Sequence, residues 1–101
     1  MDELMELETS ADENGHVVTA RGEVDMATAP RLAEALVQFA NGSVTLDLTS
    51  VTFLDSSGCS ALVAAHKCLR RRGSRLYVRG ATGSVLRVLE LTGLSRALDF
   101  G

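Results

Sequence analysis

An α/β fold with a mixed β-sheet and crossover helices packed on it is the architecture this sequence predicts, and three observations predict it. Strand-like apolar stretches alternate with segments of helical spacing in the order β-β-α-β-α-β-α-β. The first two strands are joined by a short turn and so form an antiparallel hairpin, whereas every later pair is separated by a helix-length segment. The interior is aliphatic, since 46% of the 101 residues are hydrophobic but only 4% are aromatic, with no Trp. Leu, Val and Ala must therefore fill the core, and a chain of this length suits one domain spanning residues 1–101.

Each element has its own signal. Leu4 to Glu8 partly alternates and reads as a strand, and Asp12-Glu13-Asn14-Gly15 is a turn. His16 to Gly22 follows as the second strand. Thr28-Ala29-Pro30-Arg31 opens a helix, with Pro30 in the first turn where its missing N–H is not needed. Leu32, Leu36, Val37 and Phe39 form that helix's apolar stripe, and Asn41-Gly42 stops it. Val44 to Leu48 is a short apolar strand suited to the middle of a sheet. Thr49 to Asp55 reads as a connecting loop, pinned to the core by Val51, Phe53 and Leu54. A second helix runs from about Ser57 to Arg72, with Gly58, Ala61, Leu62, Ala65 and Leu69 on one face, and Gly73 closes it. Leu76 to Val78 is a strand, Ser84 to Leu91 a third helix, and Ala97 to Phe100 a final short strand. The right-handed crossover rule limits how the helices lie.

The net charge of −3 gives no global attraction to nucleic acid or to an anionic membrane. The distribution is uneven, with Asp2, Glu3, Glu6, Glu8, Asp12 and Glu13 in the first strand region and Lys67, Arg70, Arg71, Arg72, Arg75 and Arg79 around the end of the second helix. A solvated helix end, favoured by the helix dipole, is the simpler reading of the basic group; a patch for an acidic partner is the other. No apolar run is long enough to span a membrane, and no basic-then-apolar leader opens the chain, so a cytoplasmic location is expected. Cys59 and Cys68, nine residues apart on one helix, point to opposite sides and should not bond to each other; with no CxxC spacing they make no zinc site.

The segment richest in chemistry is Asp55-Ser56-Ser57-Gly58, where the loop after the third strand enters a helix. A hydroxyl at the cap of such a helix meets unpaired N–H groups and the positive end of the dipole, an environment that accommodates a phosphate. Taken alone, D-S-S-G is an ordinary helix start.

Its context is not ordinary. Three pieces in order resemble the STAS domain, and within it the stand-alone bacterial anti-sigma factor antagonists: Arg21-Gly22-Glu23-Val24-Asp25 leading to Ala27-Thr28-Ala29; Leu46-Asp47-Leu48 through Phe53-Leu54-Asp55-Ser56-Ser57-Gly58; and Leu89-Glu90-Leu91-Thr92-Gly93-Leu94. The resemblance implies a STAS-like fold and a partner switch in transcription and stress control. In that family an anti-sigma factor with serine-kinase activity phosphorylates the serine matched by Ser56. The unphosphorylated antagonist binds the anti-sigma factor and frees its sigma factor, the phosphorylated form lets go, and a metal-dependent phosphatase resets the switch. Asp55 matches the acidic residue before the phosphorylated serine; Gly22, Glu23 and Asp25, with Asp55, Ser56, Ser57 and Gly58, match the docking face. No cofactor or bound metal is implied. Cys59 stands where the family usually carries Leu, making that contact smaller. Many relatives also continue into a last helix where this chain ends at Gly101, which bears on the edge of the docking surface.

Three rival readings follow from the residues. A serine hydrolase would need a G-x-S-x-G elbow, and Leu54 to Gly58 lacks its first Gly. Its only candidate bases are His16 and His66, and His66 lies about 15 Å along the helix from Ser56 by helical rise; His66 suits a half-buried helix position and His16 a strand edge. A nucleotide-binding module would need a phosphate loop, and the chain has neither G-x-x-x-x-G-K-[ST] nor G-x-G-x-x-G, although weak phosphate binding at the Ser56 helix start is physically possible. A STAS module of another complex, sensory or transport, would have no need of a phosphorylatable serine.

Overall fold

The structure is a computed structural model and describes residues 5–13, 15–39, 42–94 and 99–100. Leu4, Asn14, Asn41, Ala97 and Leu98, which the expected elements include, lie outside the described residues, as do Asp2, Glu3 and Gly101. The elements are β1 (Met5–Asp12), β2 (Gly15–Val24), α1 (Ala29–Val37), β3 (Val44–Leu54), α2 (Ser56–Arg71), β4 (Leu76–Arg79), α3 (Gly83–Leu91) and β5 (Asp99–Phe100).

The five strands stand in the order β1-β2-β3-β4-β5. β1 pairs with β2 antiparallel, and every later neighbour is parallel, so the sheet is mixed as the sequence predicts. Because successive parallel strands advance in one direction across the sheet, right-handed crossovers place the helices on one face. The burial pattern agrees. Val44, Leu46 and Leu48 alternate with Thr45, Asp47 and Thr49, and only the first set is buried. They meet Leu32 and Leu36 of α1, Leu62 and Leu69 of α2 and Leu89 of α3 in one aliphatic core. Each such side chain contributes on the order of 2 kcal/mol by leaving water.

The opposite face is polar. Arg21 pairs with Glu8 at 3.3 Å, and Arg79 with Asp47 at 3.1 Å. Partial burial pushes the Asp47 carboxyl up, but hydrogen bonds from the Thr49 side chain and backbone, with the bond and charge of Arg79, together hold it below the ordinary carboxylate range.

Four expectations need correction. Thr49 to Leu54 is not a loop: β3 continues through it, pairing Ser50 with Arg21, Phe53 with Glu23 and Leu54 with Val24. Val51 and Leu54 are buried as expected, but Phe53 is 47% exposed and pins nothing. α1 ends at Val37, so Phe39 is not on its stripe; its ring stacks on His16 with centroids 3.9 Å apart and planes 9° from parallel. His16 accordingly sits on an inner strand, between β1 and β3, rather than at an edge. His66 is half-buried, as its helical position implies.

Candidate functional site

Two strand ends build the site. Val24 at the end of β2 and Leu54 at the end of β3 are register partners, so the residues after them, Asp25 and Asp55, leave the sheet side by side. The Asp55 N–H donates to the Val24 carbonyl at 3.2 Å, tying the two exits together. This juxtaposes Asp25 and Asp55, 30 positions apart in the sequence, at one end of the sheet.

The β2 exit is a tight turn held by two side chains. Asp25 Oδ1 accepts from the Ala27 and Thr28 N–H groups at 3.0 and 3.1 Å. The buried Thr28 hydroxyl donates to the Glu23 carbonyl at 2.9 Å and accepts from the Asp25 N–H at 2.9 Å. Asp25 is therefore a turn builder as well as a member of the expected docking face. Gly22 also has a backbone task. It sits at φ +98° beside a register shift between β2 and β3, a bulge conformation that glycine adopts without strain.

The β3 exit corrects the expected cap. The N-cap of α2 is Asp55, not Ser56: Asp55 is extended, and its carboxylate accepts from the Gly58 N–H at 3.1 Å. Ser56 is the first helical residue, exposed, and its hydroxyl does no capping work. Ser57 is half-buried. Gly58 is buried against the sheet, where a Cβ would run into Leu54 Cδ1 and come within 2.9 Å of Val24 Cγ1. The glycine of the D-S-S-G segment is what lets the helix start so close to both strand ends.

One neighbour escaped the sequence reading. Met26, 79% exposed, lies between the two turn-forming residues Asp25 and Ala27. With Ala29, Pro30 and Ala33 of α1 and Ser57, Ser60 and Ala61 of α2 it lines a groove of roughly 400 Å³ between the starts of the two helices. An unbranched apolar residue in an otherwise polar turn was the available signal. A second groove of roughly 390 Å³ runs on the other flank of α2, from Cys59 and Val63 to Thr92 and Leu94. Burial pushes the Cys59 thiol up; a Thr92 hydrogen bond opposes this and the nearby Asp55 charge adds to it. Cys59 and Cys68 are both free.

Among the described residues no group of His, Cys, Asp or Glu is placed to hold a metal ion, and no helix is long and apolar enough to cross a membrane. What the arrangement offers is an exposed hydroxyl on a capped helix start, flanked by a partly apolar surface.

A five-stranded mixed sheet with its helices on one face and a Ser-bearing helix start beside the β2 exit defines a class of small α/β domain, and the chain belongs to the STAS domain family: the family model described as "Mlab, STAS domain" matches residues 7–99. Among its relatives, the anti-sigma-B factor antagonist of Listeria monocytogenes is 37% identical over 97 residues, covering 92% of this chain and 85% of that protein. A solved anti-sigma factor antagonist from Mycobacterium paratuberculosis superposes with a TM-score of 0.79 at 30% identity, covering 95% of this chain and 84% of that one. The fold is shared with Bacillus SpoIIAA, solved unphosphorylated (TM-score 0.76, 18% identity, 95% and 88% covered) and phosphorylated (TM-score 0.70, 16% identity, 96% and 90% covered).

Proposed function

We propose that this chain, as one STAS domain over residues 1–101, is a cytoplasmic anti-sigma factor antagonist. Unphosphorylated, it binds an anti-sigma factor that is itself a serine kinase and so releases a sigma factor; phosphorylation of Ser56 ends the binding, and a phosphatase restores it. The observation that carries this reading is the division of labour at the start of α2. Asp55 does the capping, so the exposed Ser56 hydroxyl is available for chemistry without cost to the helix.

In the transfer, Ser56 Oγ attacks the γ-phosphorus of ATP, the bond to the β-phosphate oxygen breaks, and ADP leaves while a kinase base takes the hydroxyl proton. The product phosphate, carrying about −1.5 to −2 charges, sits at a helix N-terminus where N–H groups and the dipole favour it. The domain stays folded, and release comes from charge and bulk at the interface. Support also comes from the relatives: the Listeria protein is named an anti-sigma-B factor antagonist, and SpoIIAA exists in both phosphorylation states. Gly22, Glu23, Asp25, Asp55, Ser57 and Gly58 shape the docking face around Ser56, several of them through the backbone. In this role the chain binds and is modified; it catalyses nothing itself.

The test is incubation with the purified anti-sigma factors of the organism that encodes the chain, with ATP, followed by phosphopeptide mapping and binding assays. Phosphate on Ser56, and binding of Ser56→Asp weakened about a hundredfold, equivalent to ~2.7 kcal/mol, are expected. Phosphate on Ser57 or nowhere, or Ser56→Asp binding as tightly as the parent, overturns the reading.

A further inference from the structure

The basic residues of α2 have no task in the switch described so far. At 100° per residue, Ser56, Ser60, Ala64, Lys67, Arg70 and Arg71 fall within an arc of about 120°. All six are exposed, so they form a single outward stripe along the helix. The stripe runs from the hydroxyl to a wholly cationic end, and α2 contains no acidic residue to offset it. This is not general basicity, since the chain carries a net −3.

The helix dipole favours Arg70 and Arg71, which stand in the last turn of α2, but does not reach Lys67. Arg72 serves α1 instead, its side chain donating to the carbonyls of Val37, the last residue of that helix, and of Phe39 at 2.7 and 3.2 Å. Lys67 lies a full turn inside the helix, and no salt bridge among the described residues takes up Lys67, Arg70 or Arg71. The stripe is also continuous with the surface around Ser56. The groove against α1, with Met26 and Ala33, and the groove toward the end of α3, with Thr92 and Leu94, share Ser60, which sits on the stripe between them.

We propose that the outward stripe of α2, from Ser56 to Arg71, is one docking surface, and that it fits an anti-sigma factor whose contacting face is acidic opposite Lys67, Arg70 and Arg71. The inference rests on the function proposed above and specifies its partner. Lys67 is about 16 Å from Ser56 by helical rise, beyond a Debye length of about 8 Å, so the two ends of the stripe act separately: the basic end steers the partner's approach, and a phosphate on Ser56 acts on whatever faces the start of α2.

The experiment compares the parent with a Lys67→Glu/Arg71→Glu variant. Association rates with the purified anti-sigma factor are followed by stopped flow at about 0.03 M and about 0.5 M salt. Thermal melts check that the exposed substitutions leave the fold intact. At low salt the variant should associate about tenfold or more slowly than the parent, and the gap should close at high salt; the parent's own rate should fall as salt rises. A parent that binds with rates indifferent to both salt and charge reversal overturns the inference and leaves the antagonist function standing. So does a reversal that abolishes retention on double-stranded DNA or on phosphatidylserine vesicles without touching anti-sigma factor binding. A parent that binds no anti-sigma factor at all overturns the functional reading, and this inference with it.

Discussion

Two strand-to-helix junctions of this molecule, those that open α1 and α2, use one device to opposite ends. After β2 and after β3 the chain leaves the sheet through an aspartate whose carboxylate accepts backbone N–H groups. At the β2 exit the device closes on itself: Asp25 takes two N–H groups, and Thr28, buried beneath, ties the turn to Glu23. At the β3 exit Asp55 spans only to Gly58 and leaves Ser56 outside the bonding pattern. An aspartate cap that satisfies the helix start frees the following hydroxyl for modification. A serine cap would have set capping against phosphorylation.

The comparison is sharpened first at Gly58. An added methyl group would meet Leu54 and Val24 in a filled space, so Gly58→Ala should cost roughly 2–3 kcal/mol despite the better helix propensity of alanine. Urea unfolding measures it. A neutral or stabilising Gly58→Ala would mean that α2 does not start as close to the strand ends as described.

Next come the two aspartates. Asp25→Ala strands two N–H groups and disturbs the buried Thr28 hydroxyl, at a cost of about 2 kcal/mol. Asp55→Ala removes a single cap bond and should cost about 1 kcal/mol. If the order reverses, the turn after β2 is not the self-supporting one. A test of docking at Asp25 must therefore separate lost contacts from lost stability, and Asp25→Asn, which keeps the acceptor oxygen, is the better probe than a charge reversal.

The two ends of α2 give a comparison by reactivity. Cys59 lies in the first turn, buried and with its thiol pushed up, whereas Cys68 is half-buried. At pH 8 Cys59 should react with Ellman's reagent about tenfold more slowly than Cys68, since the thiolate is the nucleophile. The linkage sign follows. A raised folded value stabilises the fold below the ordinary thiol pKa, and that increment is lost as pH rises through the raised value. Cys59→Ser, which removes the titration, should flatten the alkaline decline in stability.

Much of this was legible beforehand, and the exceptions are physical. The cores of the three helices, of β1, β2 and β4 and of the first half of β3 lay in the periodic pattern, because one face of each meets the same aliphatic interior. The second half of β3 was not legible. β4 pairs only with Val44 to Asp47, so Thr49 to Leu54 has a partner on one side alone, and register shifts in β2 break the alternation there. The buried residues are Val51 and Leu54, three apart, which reads as a pinned loop rather than as a strand. The cap at α2 was ambiguous because Asp55 and Ser56 both have capping side chains. The tie from the Asp55 N–H to the Val24 carbonyl, a tertiary contact, holds Asp55 in extended backbone and makes it the cap.

The smallest expected effect is the one that tests the central difference between the junctions. If Asp55 carries the cap, Ser56→Ala removes an exposed hydroxyl that holds nothing, and alanine is the better helix former, so stability should stay within about 0.5 kcal/mol of the parent. If Ser56 were the cap, the same change would cost about 1 kcal/mol, a gap that paired denaturant titrations resolve. The double variant Asp55→Ala/Ser56→Ala settles the assignment. With Asp55 as the sole cap it loses no more than Asp55→Ala alone. With Ser56 able to take over, the loss in the double variant exceeds the sum of the two singles. A null effect for Ser56→Ala combined with loss of phosphorylation would place the residue's whole worth in the switch and none in the fold.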